Sequence, residues 1–317
     1  MNAPYLSDDA LRRAFARVRE NHGCAGADGI DLAEFAESLE SEIGELRRPV
    51  EMGYYWAWPL RKVEVEKRPG SQERRTLAVP AVRDRVLQTA VAAFLEPILE
   101  PEFEECSFAY RRGRSVRMAV EKVYQLYQQG YRWVLDADID DFFNTVDRGI
   151  VVGRLGVHVK DELAVRLARL WLDSAVWDGV AITRTDKGIP QGAVISPMLA
   201  NLCLDQLDER LQEAGFAMVR YSDDFVVLTK GERAAREALE IAGDALEDLR
   251  LRLHQGKTRV ARFTDGFKFL GVVFFRDMLL QPLPGGRRRL RVLSSAPVLP
   301  RGRFPMPERR MLRRYRG

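Results

Sequence analysis

Two groups of aspartates stand out in the 317-residue sequence: Asp136, Asp138, Asp140 and Asp141, and then Asp223 and Asp224, with Asp223 standing 85 residues after Asp138. Carboxylates crowded together disfavour one another's ionisation, so a fold keeps them where cations compensate. Mg²⁺ takes oxygen ligands and commonly combines one or two protein carboxylates with substrate phosphates. Two such ions about 3.5–4 Å apart can activate an attacking hydroxyl and stabilise a leaving oxygen. The chemistry on offer is metal-assisted phosphoryl transfer. A run Tyr221-Ser222-Asp223-Asp224 also has a plainer reading, because Asp favours turns through local hydrogen bonds. The apolar run Phe225-Val226-Val227-Leu228 that follows reads as a buried strand, which would fix the pair on a rigid edge.

Such carboxylates need strands to hold them. A strand is expected from Tyr131 to Asp138, and two more, Phe216 to Tyr221 and Asp224 to Thr229, meet at a tight turn on Ser222-Asp223. Helices are expected over 160–175, 195–213 and Glu232 to Leu251, then a strand from Thr258 to Phe263 and a strand pair from Phe267 to Phe275. This order gives an α+β layer, a sheet covered by helices on one face. Upstream, Asp8-Asp9 cap a helix to about Asn21, and a second helix runs from Asp31 to Leu46, with the Gly-rich HGCAGADGID between them. Residues 59–80 alternate around Arg68-Pro69-Gly70 as a hairpin, a helix follows Pro80, and another spans about Ser115 to Gln129. After Phe275 the chain turns Pro-, Gly- and Arg-rich and loses its periodicity.

Bulk properties exclude several classes. No apolar run reaches the roughly 18 residues a membrane helix needs. The N-terminus lacks the basic start and apolar core of a secretory signal. Cys24, Cys106 and Cys203 are scattered and odd in number, and His22, His158 and His254 add no zinc pattern, so a reducing cytosol fits. Net charge is +4, but residues 281–317 hold eleven arginines against Glu308, a local +10, which leaves 4 − 10 = −6 for the other 280. That basic stretch reads equally as a phosphate-binding arm or as a solvated linker.

Several blocks together carry a resemblance. Asp138-Ile139-Asp140-Asp141-Phe142-Phe143, Pro190-Gln191-Gly192-Ala193-Val194-Ile195-Ser196-Pro197, Tyr221-Ser222-Asp223-Asp224 and Phe269-Leu270-Gly271 occur in the order and spacing of reverse transcriptases. Gly26-Ala27-Asp28-Gly29, Arg75-Thr76-Leu77, Asp84-Arg85 and Ser107-Phe108-Ala109-Tyr110-Arg111-Arg112-Gly113-Arg114-Ser115 look like the upstream blocks of the bacterial group II intron-like members. The likeness covers roughly residues 20 to 275. It implies the right-hand polymerase fold, with a helical extension over 1–58, fingers over 59–130, a palm over 131–275 with a helical insert at about 160–200, and a basic tail or linker over 276–317.

The resemblance also implies roles. Asp138 and Asp223 would bridge two Mg²⁺ ions (Mn²⁺ a substitute), with Asp224 in support and Ile139 lending its carbonyl. Asp136 and Asp140 share the strand face if pairing continues and stand as less favoured ligands. Asp141 and Phe142 would offer N–H groups to the dNTP triphosphate, and Lys67 and Arg75 would grip it from the fingers. Phe143 would close the space for a 2′-hydroxyl and so select deoxynucleotides; a core phenylalanine is the alternative. Gln191 and Gly192 would lie against the templating base pair, where glycine permits close approach. Lys257 would protonate pyrophosphate, or merely follow a helix C-terminus. Tyr221 and Phe269-Leu270-Gly271 would hold template and primer.

The implied enzyme is a cytoplasmic bacterial RNA-directed DNA polymerase acting on an RNA template, a DNA or RNA primer and dNTPs, without a membrane. About 42 residues follow Phe275 without a three-helix pattern, so the thumb is expected to be absent or reduced. The wording of 191–197 and the Arg-rich end resemble the CRISPR-associated subgroup, which implies a spacer-integrase partner or fused domain and synthesis of cDNA for spacer acquisition from RNA. The alternative is a non-polymerising, maturase-like RNA-binding scaffold. Intact Asp138, Asp223 and Asp224 weigh against it, since a scaffold gains nothing from their repulsion.

Overall fold

The computed structural model describes residues 3–66, 72–282 and 288–292. Lys67 and the Arg68-Pro69-Gly70 turn lie outside the described residues, as does most of the Arg-rich end. Helix α1 (Asp8–Glu20) begins at Ser7, whose hydroxyl accepts Ala10 N–H at 3.3 Å. Ser7 is thus the cap, and Asp8 and Asp9 occupy the first turn, where the helix dipole favours acids. The single helix expected from Asp31 is two, α2 (Leu32–Glu37) and α3 (Leu39–Glu51). Ser38 stands at the break, its hydroxyl donating to the Glu34 carbonyl at 3.4 Å.

Strands β1 (Leu60–Glu66) and β2 (Arg74–Val79) pair antiparallel, from Arg61 opposite Val79 to Glu66 opposite Arg74. Helix α4 (Val82–Leu99) follows and is buried over most of its length. Its Asp84 accepts hydrogen bonds from the Tyr55 hydroxyl at 2.6 Å and Trp58 N–H at 2.9 Å, and Trp171 Nε1 donates to the same hydroxyl at 3.2 Å. Arg85 donates to the Cys24 carbonyl at 2.7 Å, and a Cβ on Gly26 would fall 2.4 Å from Ala81 Cα. The Gly-rich loop is therefore pressed onto the start of α4, and the Asp84-Arg85 block works as a structural knot. Arg111, in the loop before α5 (Val116–Gln128), also turns inward, pairing with Glu100 at 2.8 Å and donating to the carbonyls of Glu104 and Ser107.

Strand β3 (Trp133–Asp138) leads into a short α6 (Phe142–Thr145), then α7 (Arg148–His158) and α8 (Glu162–Leu172). Two small strands, β4 (Val176–Trp177) and β5 (Ile182–Thr183), join the fingers sheet in the order β2-β1-β4-β5. Helix α9 (Ser196–Glu213), β6 (Ala217–Tyr221), β7 (Asp224–Thr229), α10 (Glu232–Asp248) and β8 (Arg259–Arg262) complete an antiparallel palm sheet of order β6-β7-β3-β8.

Strand alternation divides the palm residues between two faces. Leu135, Ala137, Phe225 and Val227 pack in one core with residues of α9 and α10. Val134, Val219, Val226 and Leu228 pack on the other side with α5 and with Phe263, Phe267, Phe269 and Phe274. The sheet is thus covered on both faces, not on one as the element order suggested. Beyond β9 (Phe267–Phe269) and β10 (Val272–Phe275), the chain does not lapse into an irregular tail at once. Strands β11 (Met278–Pro282) and β12 (Arg288–Val292) extend that hairpin into a sheet of order β12-β11-β10-β9. Backbone pairing there, Phe275 opposite Met278 and Met278 opposite Val292, overrides a Pro- and Arg-rich composition that conceals it.

Candidate active site

The second face of the palm sheet carries the carboxylates. Asp138 is the β3 partner of Asp224, and Tyr221 is the β6 partner of Asp224, so the three side chains share this face. Asp136, two residues before Asp138, shares it too. Asp223 sits in the two-residue loop of the β6–β7 hairpin, and only its neighbour Ser222 takes a positive φ, +62°. A positive φ at the first of two loop residues is the pattern of a type II′ turn, whose twist matches paired strands.

Beyond β3 the ladder continues against residues 252–254. Asp140 N–H donates to the Arg252 carbonyl at 2.9 Å and His254 N–H to the Asp138 carbonyl at 2.8 Å. Ile139 opposite Leu253 is therefore a non-hydrogen-bonded pair, and the Ile139 carbonyl points across the strand, toward β7. That is the side on which Asp224 lies. Asp141 has φ +43° and caps α6, and its Oδ1 accepts from Asn144 at 2.7 Å. Phe142 is a buried core ring; Phe143 is half-buried, its ring centroid 5.2 Å from that of Phe142 at 77°.

Electrostatics show a site short of positive charge. Burial, and then repulsion from Asp136, Asp138 and Asp223, pushes Asp224 up to about 7, while the Leu270 N–H opposes the shift. Burial likewise raises Asp223, with Asp138 adding to it. Asp136 rises to about 6, chiefly through burial, although Arg259 lies 3.3 Å away and opposes the rise. Lys257 Nζ sits 2.6 Å from Asp138 Oδ2, and that hydrogen bond raises its pKa. Among the described residues no three acidic, His or Cys side chains form a closed metal cage. The donor set of clustered, partly buried carboxylates with raised pKa values nevertheless fits hard divalent cations, because cation binding would relieve the repulsion.

The Gln191-Gly192 block is placed against the fingers. Ala78 N–H of β2 donates to the Gln191 carbonyl at 2.6 Å, and Gly192 has φ +111° with an added Cβ 3.2 Å from the Ala78 carbonyl. Arg75 is exposed on the same strand, three residues and so about 10 Å from this contact. Replacing Gly192 by Ala should lower stability by about 1–3 kcal/mol, the cost of a non-glycine residue in such backbone, read from the denaturant midpoint. Just before this block, Ile189 N–H donates to the Phe143 carbonyl at 2.7 Å, which ties the ring's backbone to the Gln191 loop.

At the other edge, Leu270 and Gly271 both have positive φ, +50° and +80°, as a type I′ turn requires. Phe269 is buried in the hairpin core, while the Leu270 amide reaches Asp224. The structure thus gathers Asp138, Asp223, Asp224, Lys257, Tyr221 and Leu270 at one end of the sheet. Lys67 lies outside the described residues, and Arg75 and Gln191 belong to the fingers side. Sequence reasoning missed Arg259 as the neutralising partner of Asp136; only the register, Asp136 opposite Arg259, makes it visible.

A family model for the reverse transcriptase (RNA-dependent DNA polymerase) matches residues 65–274. The chain belongs to this family. Reverse transcriptases of this kind are RNA-directed DNA polymerases and use divalent metal ions. The chain is 31% identical over 285 residues to Protein YkfC of Escherichia coli (strain K12), covering 78% of this chain and 74% of that protein. It is 30% identical over 205 residues to the group II intron-encoded protein LtrA of Lactococcus lactis subsp. cremoris, covering 64% of this chain but only 34% of LtrA. A solved chain in a partial Cas6-RT-Cas1–Cas2 complex is 28% identical with a TM-score of 0.45, covering 78% of this chain and 41% of that one. This reverse transcriptase is group II intron-like, with no helix among the described residues long and apolar enough to cross a membrane.

Proposed function

We propose that the chain extends a primer 3′-hydroxyl with dNTPs on an RNA template, using two Mg²⁺ ions held by Asp138 and Asp223 with Asp224 in support. The observation that carries this reading is the register that sets Asp138 opposite Asp224, beside the Asp223 turn. Bound there, the ions would activate the hydroxyl and neutralise charge on the pyrophosphate, and Mn²⁺ could substitute. Ile139 would add its carbonyl from the β7 side of the strand.

The remaining residues position and select. Asp141 and Phe142, at the start of α6, would present N–H groups to the triphosphate, and Arg75 would approach it from β2. Phe143 would exclude a 2′-hydroxyl. Gln191 and Gly192 would bear on the templating pair, while Tyr221 and the Phe269-Leu270-Gly271 turn would steady template and primer. Lys257, already hydrogen-bonded to Asp138, would pass its proton to departing pyrophosphate once a cation takes its place. Primer extension on an RNA template tests the reading: wild type should make cDNA with Mg²⁺ and Asp223→Ala/Asp224→Ala should not. Equal inactivity of the two would leave the scaffold alternative standing.

A finer proposal is that the cDNA serves spacer acquisition, with CRISPR adaptation integrase proteins or a fused domain as partners. The wording of 191–197 and the arginines after residue 281 support it. The check is whether an adaptation integrase joins cDNA made by this chain to array DNA; no joining would remove the assignment.

A further inference from the structure

Arg220 stands two residues before the Ser222-Asp223 turn, yet alternation sends its side chain to the opposite face of the sheet from Tyr221 and Asp224. The guanidinium is fully enclosed there, with side-chain exposure of 0% for both Arg220 and Asp208. Its Nε lies 2.7 and 3.0 Å from the two Asp208 oxygens and its Nη2 2.5 Å from Oδ2. Its Nη1 donates to Asn201 Oδ1 at 3.0 Å and to the Ser222 carbonyl at 3.2 Å.

The same residue binds through its backbone: its N–H donates to Cys106 at 2.8 Å, and its carbonyl accepts from Phe108 N–H at 2.9 Å. Asn201 completes the ring by donating to the Ala109 carbonyl at 2.8 Å. The side chain thus joins α9 to the first residue of the turn that carries Asp223, while the Arg220 backbone and Asn201 tie in the 106–109 loop. Enclosing an ion pair adds little to stability compared with apolar residues of the same volume. What a guanidinium supplies, and an apolar side chain cannot, is a rigid planar fork that fixes several acceptors at once. One of those acceptors belongs to Ser222, held at φ +62°.

We propose that Arg220 is a positioning residue for the polymerase site. It holds the Ser222-Asp223 turn from behind the sheet, so that Asp223 and Asp224 present their carboxylates together to the divalent ions. This inference rests on the polymerase reading. Arg220 touches neither the carboxylates nor the substrate side and is not itself catalytic.

Two variants of the full 317-residue chain test it. Arg220→Lys keeps the charge and removes the fork, and the double variant Arg220→Met/Asp208→Leu replaces the pair with apolar side chains of similar volume. Mn²⁺ binding, followed by calorimetry without substrate, should weaken about 10-fold in both while the circular dichroism stays that of wild type, as outer residues around metal sites generally show. In primer extension the half-activating Mg²⁺ concentration should rise by a similar factor and kcat should fall, with KM for dNTP little changed. A folded variant with wild-type Mn²⁺ affinity and Mg²⁺ requirement would overturn the proposal, and so would a wild type that binds no Mn²⁺. Failure of the polymerase reading looks different: wild type would bind Mn²⁺ through Asp223 yet extend no primer, and Arg220 would still be judged by the binding.

Discussion

Asp224→Asn should cut DNA synthesis by about 10²–10³-fold while making the metal-free protein more stable. In the folded state Asp224 is raised to about 7, so its charged form is disfavoured relative to the unfolded chain, where a carboxylate titrates near 4. The sign follows from proton counting. Between about pH 4 and 7 the folded state binds more protons, so stability falls as pH rises through that window and the full penalty is present above it. The shift corresponds to at most about 4 kcal/mol, and it does not add independently to the rises at neighbouring Asp136 and Asp223. An amide carries no such penalty.

Thermal melts in EDTA at pH 8 should therefore place Asp224→Asn several degrees above wild type, given about 2–4 °C per kcal/mol, and the gap should close by pH 4. Saturating Mg²⁺ should reverse the order, because the ion stabilises only the protein that binds it. Loss of the charge should lower kcat by about 10²–10³, the cost of removing one preorganised electrostatic partner. Equal melting temperatures across this range would show that the carboxylates are not in conflict.

Phe143→Ala should admit ribonucleotides. The Phe143 carbonyl is held by Ile189 N–H, so the backbone stays in place when the ring is removed. Forcing an extra hydroxyl into packed space costs about 1–3 kcal/mol, so discrimination against rNTPs should fall by about 10–100-fold, measured by extension with competing rNTP and dNTP. The neighbouring ring provides the contrast. Phe142 is fully buried, and Phe142→Ala should cost about 3–5 kcal/mol of stability without changing sugar choice. If Phe143→Ala leaves selectivity untouched, the ring packs without gating and the case for DNA synthesis loses its local support.

The palm was legible because its strands alternate and end in acids, and β3, β6 and β7 fall within two residues of their expected bounds. The helix backing was legible for α9 and α10, whose apolar positions recur at helical spacing. Other features depend on register between distant segments, which no local pattern reveals. Arg259 opposite Asp136 is one, and Arg220 against Asp208 through a hairpin and a helix is another. The inward turn of Arg111 is a third, set by acceptors on Glu100, Phe103, Glu104 and Ser107. Strand β11 was hidden because pairing with β10, not composition, makes it.

The two-faced packing of β3 has a genetic consequence. Odd and even positions of that strand serve different masters: Leu135 and Ala137 fill one core, while Asp136 and Asp138 lie on the face that carries the carboxylate cluster. Gaining or losing a single codon inside it would exchange the two sets wholesale, driving carboxylates into the hydrocarbon layer. Gene variants with such a change would yield no sluggish enzyme for selection to refine, only a misfolded product. Drift in this strand is thereby confined to substitution, and length variation is left to the loops.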